Sequence, residues 1–372
     1  MPGTSEPAAD AAMLTLARES RGMTQIDLAK AMTALAQADR ISQGYVSKAE
    51  AGRIAVSGAR LDLYAQALHY PAHLLRIEPN VTGMGIGLVH HRKKAALGAQ
   101  HLRRIHAELA LARLQVRGLL SSEADAVHSF EHIAVTDLES PSDVARAVRK
   151  LWNVPAGPIH NLVLIIEQAG GLILVRDLGT RDLDAVSTWD GDEAPLFVLN
   201  VHAPSDRFRF SLAHELGHII MHPVAGATVL QERQADEFAS EFLMPAADIA
   251  AEMRGKLELN RLLVLKQRWR VSMAALARRA VTLAAVSDWQ YRNLMIEMST
   301  LGYRTHEPGP VASECPHIAA RTAKHLTSLC GLDQAASLAG LLPDEFRALY
   351  LPDPHSARES AESDTYTRPA DE

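Results

Sequence analysis

Through most of the chain, apolar residues recur every three to four positions, the period of a helix with one buried face. Met13–Gly22 reads as the first such helix and closes on a glycine. Thr24 caps a short second helix running to Ala31, and Ser42–Gly52 makes a third with an N-cap serine and a terminal glycine. Leu61–Leu68 supplies a further helix, Ala99–Arg117 a long amphipathic one, and Pro141–Trp152 a capped one. Pro158 opens another that ends near Ala169-Gly170-Gly171. The period then changes. Leu172–Val175 and Leu196–Asn200 are short apolar runs bounded by turn residues, and Leu183–Trp189 alternates, so three strands are expected. Helical spacing returns over Ser211–His222, Glu232–Ala239 and Leu257–Ala280, the last broken at Val271-Ser272, then around Gln290–Arg292 and over Glu307–Leu351. The expected fold is multidomain and mostly α with a small β-sheet, an α+β arrangement.

Composition narrows this. A chain of 372 residues leads to two or three domains, and 47% hydrophobic residues suffice for their cores. A net charge of −6 argues against nonspecific nucleic-acid binding along the whole chain. Cys315 and Cys330 are too few for a disulfide framework and fit a reducing compartment. No apolar run approaches the roughly 18 residues of a membrane span, and the start, Met1-Pro-Gly-Thr-Ser-Glu, lacks a basic and apolar leader pattern. A soluble cytoplasmic protein without membrane contact is expected.

The strongest chemical signal is Ser211-Leu-Ala-His214-Glu215-Leu-Gly-His218-Ile-Ile-Met-His222. On a helix, His214 and His218 share one face and reach one cation. Glu215 stands beside that cation, placed to take a proton from water. Zinc at a catalytic site uses three protein ligands and keeps a fourth position open. Glu232, in a second helical segment, completes a His/His/Glu set, and Asp236 one turn on accepts the outer N–H of a ligand imidazole. Glu-x-x-x-Asp after His-Glu-x-x-His resembles the thermolysin-like zinc peptidases. One Zn2+ per chain is expected, with Mn2+ as the other admissible ion. Glu237 and Glu241 compete as third ligand, and a pair of core histidines is the bland alternative. His222 either stabilises an oxyanion or caps the carbonyls at the helix end. Cys315 is read as an inert thiol rather than an inhibitory metal ligand.

Near the N-terminus, Thr-Gln-x-x-Leu-Ala followed by Ser-Gln-x-x-Val-Ser-x-x-Glu-x-Gly resembles the Xre/Cro-type helix-turn-helix. In that family the Ser-Gln helix enters the major groove. The resemblance places Ser42, Gln43, Gly44, Tyr45, Ser47 and Lys48 toward base edges or phosphates. It puts Thr24 and Gln25 at the backbone-crossing helix, with Gln25 on phosphate and Leu28 and Val46 in the core. Met32–Arg40 is longer than the usual turn, and extension of the second helix is expected to absorb part of it. A helical interaction domain without DNA contact is the competing reading, since Met13–Leu68 holds seven Lys/Arg against five Asp/Glu. From His90 to Arg117 there are seven Lys/Arg and one Glu, which either adds phosphate contacts or forms the solvated face of a connecting helix.

The second half also resembles a known family. Gly-Pro-Ile-x-Asn-Leu, the Ser187-x-Trp189 strand, Asp-Arg-x-Arg-Phe-x-Leu-Ala-His-Glu-Leu-Gly-His, Glu-x-x-Ala-Asp-x-Phe-Ala and Phe242-Leu-Met-Pro245 together look like the ImmA/IrrE metallopeptidases, over about Asp143 to Arg279. The resemblance implies a zincin-like domain that hydrolyses a peptide bond in a helix-turn-helix repressor, with Glu215 as general base, and so derepresses stress or mobile-element genes. It also admits a transcription factor whose peptidase-like domain senses a small molecule and cleaves little. Partners are then double-stranded DNA, a repressor protein and, by the habit of Xre heads, a second copy in a homodimer. The expected organisation is a disordered start over 1–10, a five-helix-type DNA-binding domain over 11–78 and a basic helical linker over 79–136. The peptidase domain follows over 137–300, then a helical C-terminal appendage over 301–351 and a disordered acidic tail over 352–372.

Overall fold

The computed structural model describes residues 7–36, 39–79, 98–120, 130–189, 193–222 and 228–352. The basic cluster His90–Lys94, the turn after His222 and the acidic tail beyond Pro352 lie outside them. The described residues form sixteen α-helices and one three-stranded sheet, a mostly α architecture of the α+β kind. No helix among them is long and apolar enough to cross a membrane. The chain divides into two compact units.

The first unit combines Met1–Asn80 with Ala110–Ala124 and Ile318–Glu372. Its helices are α1 (Ala11–Ser20), α2 (Gln25–Leu35), α3 (Gln43–Glu50) and α4 (Gly58–Leu68); α2 and α3 start directly after the caps read from the sequence, and α1 and α4 start ahead of the expected Met13 and Leu61. Asp10 accepts the Met13 N–H, Thr24 and Asp27 form a reciprocal capping box, and Ser42 accepts the Tyr45 N–H. Leu28, Val46, Leu61 and Tyr64 are fully buried between the four. Helix α2 runs to Leu35, so part of the long Met32–Arg40 stretch is helix. The fifth helix of the expected set is one 3-10 turn, Leu74–Arg76. The expected disorder of residues 1–10 does not reach Ala9 and Asp10, whose N–H groups donate to Val56 and Leu75 carbonyls at 2.7 and 2.8 Å.

The long helix α5 (Ala99–Leu120) is shared between the units at Ala110. The second unit contains α6 (Pro141–Leu151), α7 (Leu162–Gln168), strands β1 (Leu172–Arg176), β2 (Ala185–Thr188) and β3 (Leu196–Asn200), then α8 (Ser205–Met221), α9 (Val229–Leu243) and α10 (Ala246–Ile249). Helices α11 (Leu259–Trp269), α12 (Met273–Thr282) and α13 (Asp288–Thr300) complete it; the break expected at Val271-Ser272 runs over Arg270–Ser272. Helix α7 begins four residues after Pro158, directly behind the Asn161 side chain that caps it. The sheet order is β1-β3-β2; β3 lies parallel to β1 and antiparallel to β2, with Ser187 opposite Phe197. Both outer strands are edges, and β2 packs on α8. All four β2 residues are buried, so the alternation read over Leu183–Trp189 does not mark a solvated face.

The appendage expected over 301–351 is split. Its first part stays with the second unit as an extended strap. Glu307 accepts the N–H groups of Met273 and Ala274 at the start of α12 and pairs with buried Lys266 at 3.0 Å. Glu314 does the same for Leu162 and Val163 at the start of α7 and pairs with buried Arg209. Each carboxylate satisfies donors that a helix start leaves open. From Ile318 on, α14 (Ile318–Cys330), α15 (Leu332–Leu338) and α16 (Pro343–Tyr350) belong with the helix-turn-helix. Arg21 forks onto Glu345 at 2.7 and 2.9 Å, His69 Nε2 meets Asp344 at 3.0 Å, and His73 Nε2 meets the Ser337 carbonyl at 2.8 Å. Gly118 of α5 lies so near this group that a methyl there would sit 1.9 Å from the Leu338 carbonyl oxygen.

Candidate metal centre

Helix α8 puts His214 and His218 one turn apart on one face. Between them stands Gly217, where a methyl would lie 3.0 Å from Phe238 Cδ1, so the missing side chain lets α9 pack closely. That packing brings Glu232, in the first turn of α9, to the two imidazoles. His214 Nε2 and His218 Nε2 are 3.0 Å apart; Glu232 Oε1 is 3.4 Å from the second, and Glu232 Oε2 is 3.7 Å from the first. A tetrahedral ion with bonds of about 2.0–2.1 Å sets its ligands about 3.3 Å apart, and the three separations bracket that value. These three residues are the metal-capable group among the described residues; no cysteine belongs to it, and Cys315 is exposed.

The surroundings orient the set. Asp236 Oδ1 lies 2.9 Å from His214 Nδ1; a carboxylate accepts, so His214 carries its proton there and turns the Nε2 lone pair inward. The competing carboxylates are engaged elsewhere. Glu237 accepts from Ser142, and Glu241 pairs with Arg279 and Arg146.

Glu215 is 4% exposed, and the Ser187 hydroxyl of β2 donates to its Oε2 at 2.7 Å. Just before β2, buried Asp184 takes a two-pronged bond from Arg207 at 2.8 Å on each arm and another from the Ser211 hydroxyl at 3.1 Å. Thus β2 is pinned to α8 at both ends. His222 ends α8 with non-helical backbone, φ −120° and ψ 86°. Its ring lies beside that of His218. Nδ1 lies 2.9 Å from His218 Nδ1, and Nε2 lies 3.0 Å from Gln234 Oε1. Both nitrogens thus meet partners within the protein. Ser187, Asp184 and Gln234 carried no sequence signal beyond the Ser-x-Trp of the strand.

In the first unit Ser42, Gln43, Gly44 and Lys48 are exposed at and along α3, Tyr45 and Ser47 are half-buried, and Val46 is buried. Thr24 is committed to its capping box. Gln25 is bonded within the protein: it accepts from Gln43 Nε2 at 2.7 Å and donates to Glu50 at 2.9 Å. Glu50 also holds the Arg18 fork at 2.6 and 2.9 Å, so the first side chain of the recognition helix is positioned through a buried carboxylate.

Fold and site together define a DNA-binding regulator that carries a metallopeptidase-like domain. Residues 14–75 match the helix-turn-helix family, and residues 166–281 match the IrrE N-terminal-like domain of the M78 peptidases. The chain therefore joins an Xre/Cro-type helix-turn-helix to an ImmA/IrrE-like domain. No curated protein matches it.

Proposed function

We propose that the central domain is a zinc-dependent endopeptidase, with one ion on His214, His218 and Glu232, and that its substrate is a helix-turn-helix repressor whose cleavage derepresses stress or mobile-element genes. The convergence of those three side chains around a space of tetrahedral dimensions carries the reading. Zinc bound there supplies a Lewis acid for the scissile carbonyl and brings the pKa of water to about 7. Glu215, beside His214 and held by Ser187, takes the proton of the attacking water and delivers it to the leaving amine. An extended substrate segment adds to the edge strand β2, which packs on the helix bearing both histidines. The helix-turn-helix binds duplex DNA through Gln43, Gly44, Tyr45, Ser47 and Lys48, as a homodimer over two half-sites in the cytoplasm.

The test is incubation of the purified chain, and of its Glu215→Gln variant, with repressors encoded beside it. Metal-dependent fragments made by the first and not the second support the reading. Intact repressors under every condition, together with a footprint on DNA, leave a transcription factor with a sensory domain.

A further inference from the structure

The two histidines at the site are supported unequally. His214 Nδ1 meets a carboxylate, Asp236, directly. His218 Nδ1 meets another imidazole, His222, which in turn reaches an amide oxygen, Gln234 Oε1. That oxygen only accepts, so His222 donates from Nε2 and accepts on Nδ1. His218 is then the donor at 2.9 Å, carries its proton on Nδ1 and presents the Nε2 lone pair to the space shared with His214 and Glu232. The His222 ring lies along His218, with the ring centres 5.0 Å apart.

We propose that His222 and Gln234 are positioning residues for the metal: an uncharged two-step relay that sets which nitrogen of His218 faces the ion and how basic that nitrogen is. Asp236 is the charged counterpart on His214. The inference rests on the zinc reading above. It adds that the ion is held by one arm backed by a carboxylate and one backed by an imidazole and an amide, so the second arm is the adjustable one. Gln234 is the end of that chain and touches neither the ion's ligands nor Glu215 in any bond described above. The hydrogen-bonded path from there to the site runs through His222.

Zinc affinity of the purified full-length chain, measured by competition with a chromogenic chelator, tests this without any substrate. Loss of an outer partner of a metal-bound histidine weakens binding about 10- to 100-fold. His222→Ala and the gentler His222→Gln should both fall toward that range, with thermal melts of the zinc-free proteins confirming that each is folded. Gln234→Glu places an anion on the relay and should tighten zinc several-fold, about the reverse sense of that loss. The same change in the His222→Ala background should do nothing. Equal affinities for the parent and both His222 variants overturn the proposal. So does a Gln234→Glu effect that persists without His222, or one that is absent with it. A parent chain that binds no zinc sinks the metal reading itself, and is told apart because no variant is needed to see it.

Discussion

The Ser187 hydroxyl donates to the Glu215 carboxylate at 2.7 Å, across 28 residues of chain, and ties the edge strand to the helix that carries both histidines. Both groups are buried, so the bond costs more to break than an exposed one. Ser187→Ala should lower the rate of repressor cleavage by about ten-fold, the equivalent of about 1.4 kcal/mol, while bound zinc stays stoichiometric. Ser187→Thr, which restores a hydroxyl, should recover most of the loss. Metal content and single-turnover rates on the same preparations decide it; a fall in metal content would place Ser187 among the supports of the ion instead.

Zinc binding should stabilise the folded chain. At free zinc near 100 times its dissociation constant the gain is about 2.7 kcal/mol. Chelation should therefore lower the melting temperature of the second unit and added zinc restore it. Glu232→Ala should abolish most of that response, because two imidazoles alone hold the ion weakly. Calorimetry with and without chelator is the check.

Gly118→Ala should destabilise the first unit. The added methyl would meet the Leu338 carbonyl at 1.9 Å, and a backbone oxygen cannot rotate away as a side chain would. Overpacking of this kind costs about 1–3 kcal/mol. Urea unfolding should show an earlier first transition, and DNA affinity should fall with it.

The start of α2 should show an acid limit. Hydrogen bonds from the Thr24 hydroxyl, and then from the Thr24 N–H, hold the Asp27 carboxyl below the usual carboxylate range. A group with a depressed folded pKa stabilises the native state above its unfolded pKa of about 3.9, and that contribution disappears as pH falls through the lower folded value. Stability measured from pH 6 to pH 2.5 should decline more steeply for the parent than for Asp27→Asn, which has no charge to lose.

What could be read from the sequence was local. His214 and His218 are one helical turn apart, and Glu232 and Asp236 repeat that spacing, so periodicity alone puts each pair on a face. Thr24 and Ser42 announced helix starts because a cap acts on N–H groups two or three residues away. The rest depended on contacts between distant segments. Ser187 reaches Glu215 only after the sheet is built, and Gln234 reaches His222 only after α8 and α9 have packed at Gly217. Glu50 read as part of a helix pattern, yet its carboxylate organises Arg18 and Gln25 from two other helices. The division of the C-terminal helices from the strap before them had no marker either: Glu307 and Glu314 look like ordinary surface acids until the helix starts they cap are in place.

Arg21 and Glu345 close a loop of 324 positions in the primary structure. The DNA-reading portion is thus discontinuous, and the peptidase-like portion is nested within it as an insertion. A fragment ending soon after Arg76 would lack the helices that receive Arg21, His69 and His73. Transplanting the N-terminal helices alone onto another scaffold would therefore carry away an incomplete module, and a productive exchange would have to bring Ile318–Tyr350 along.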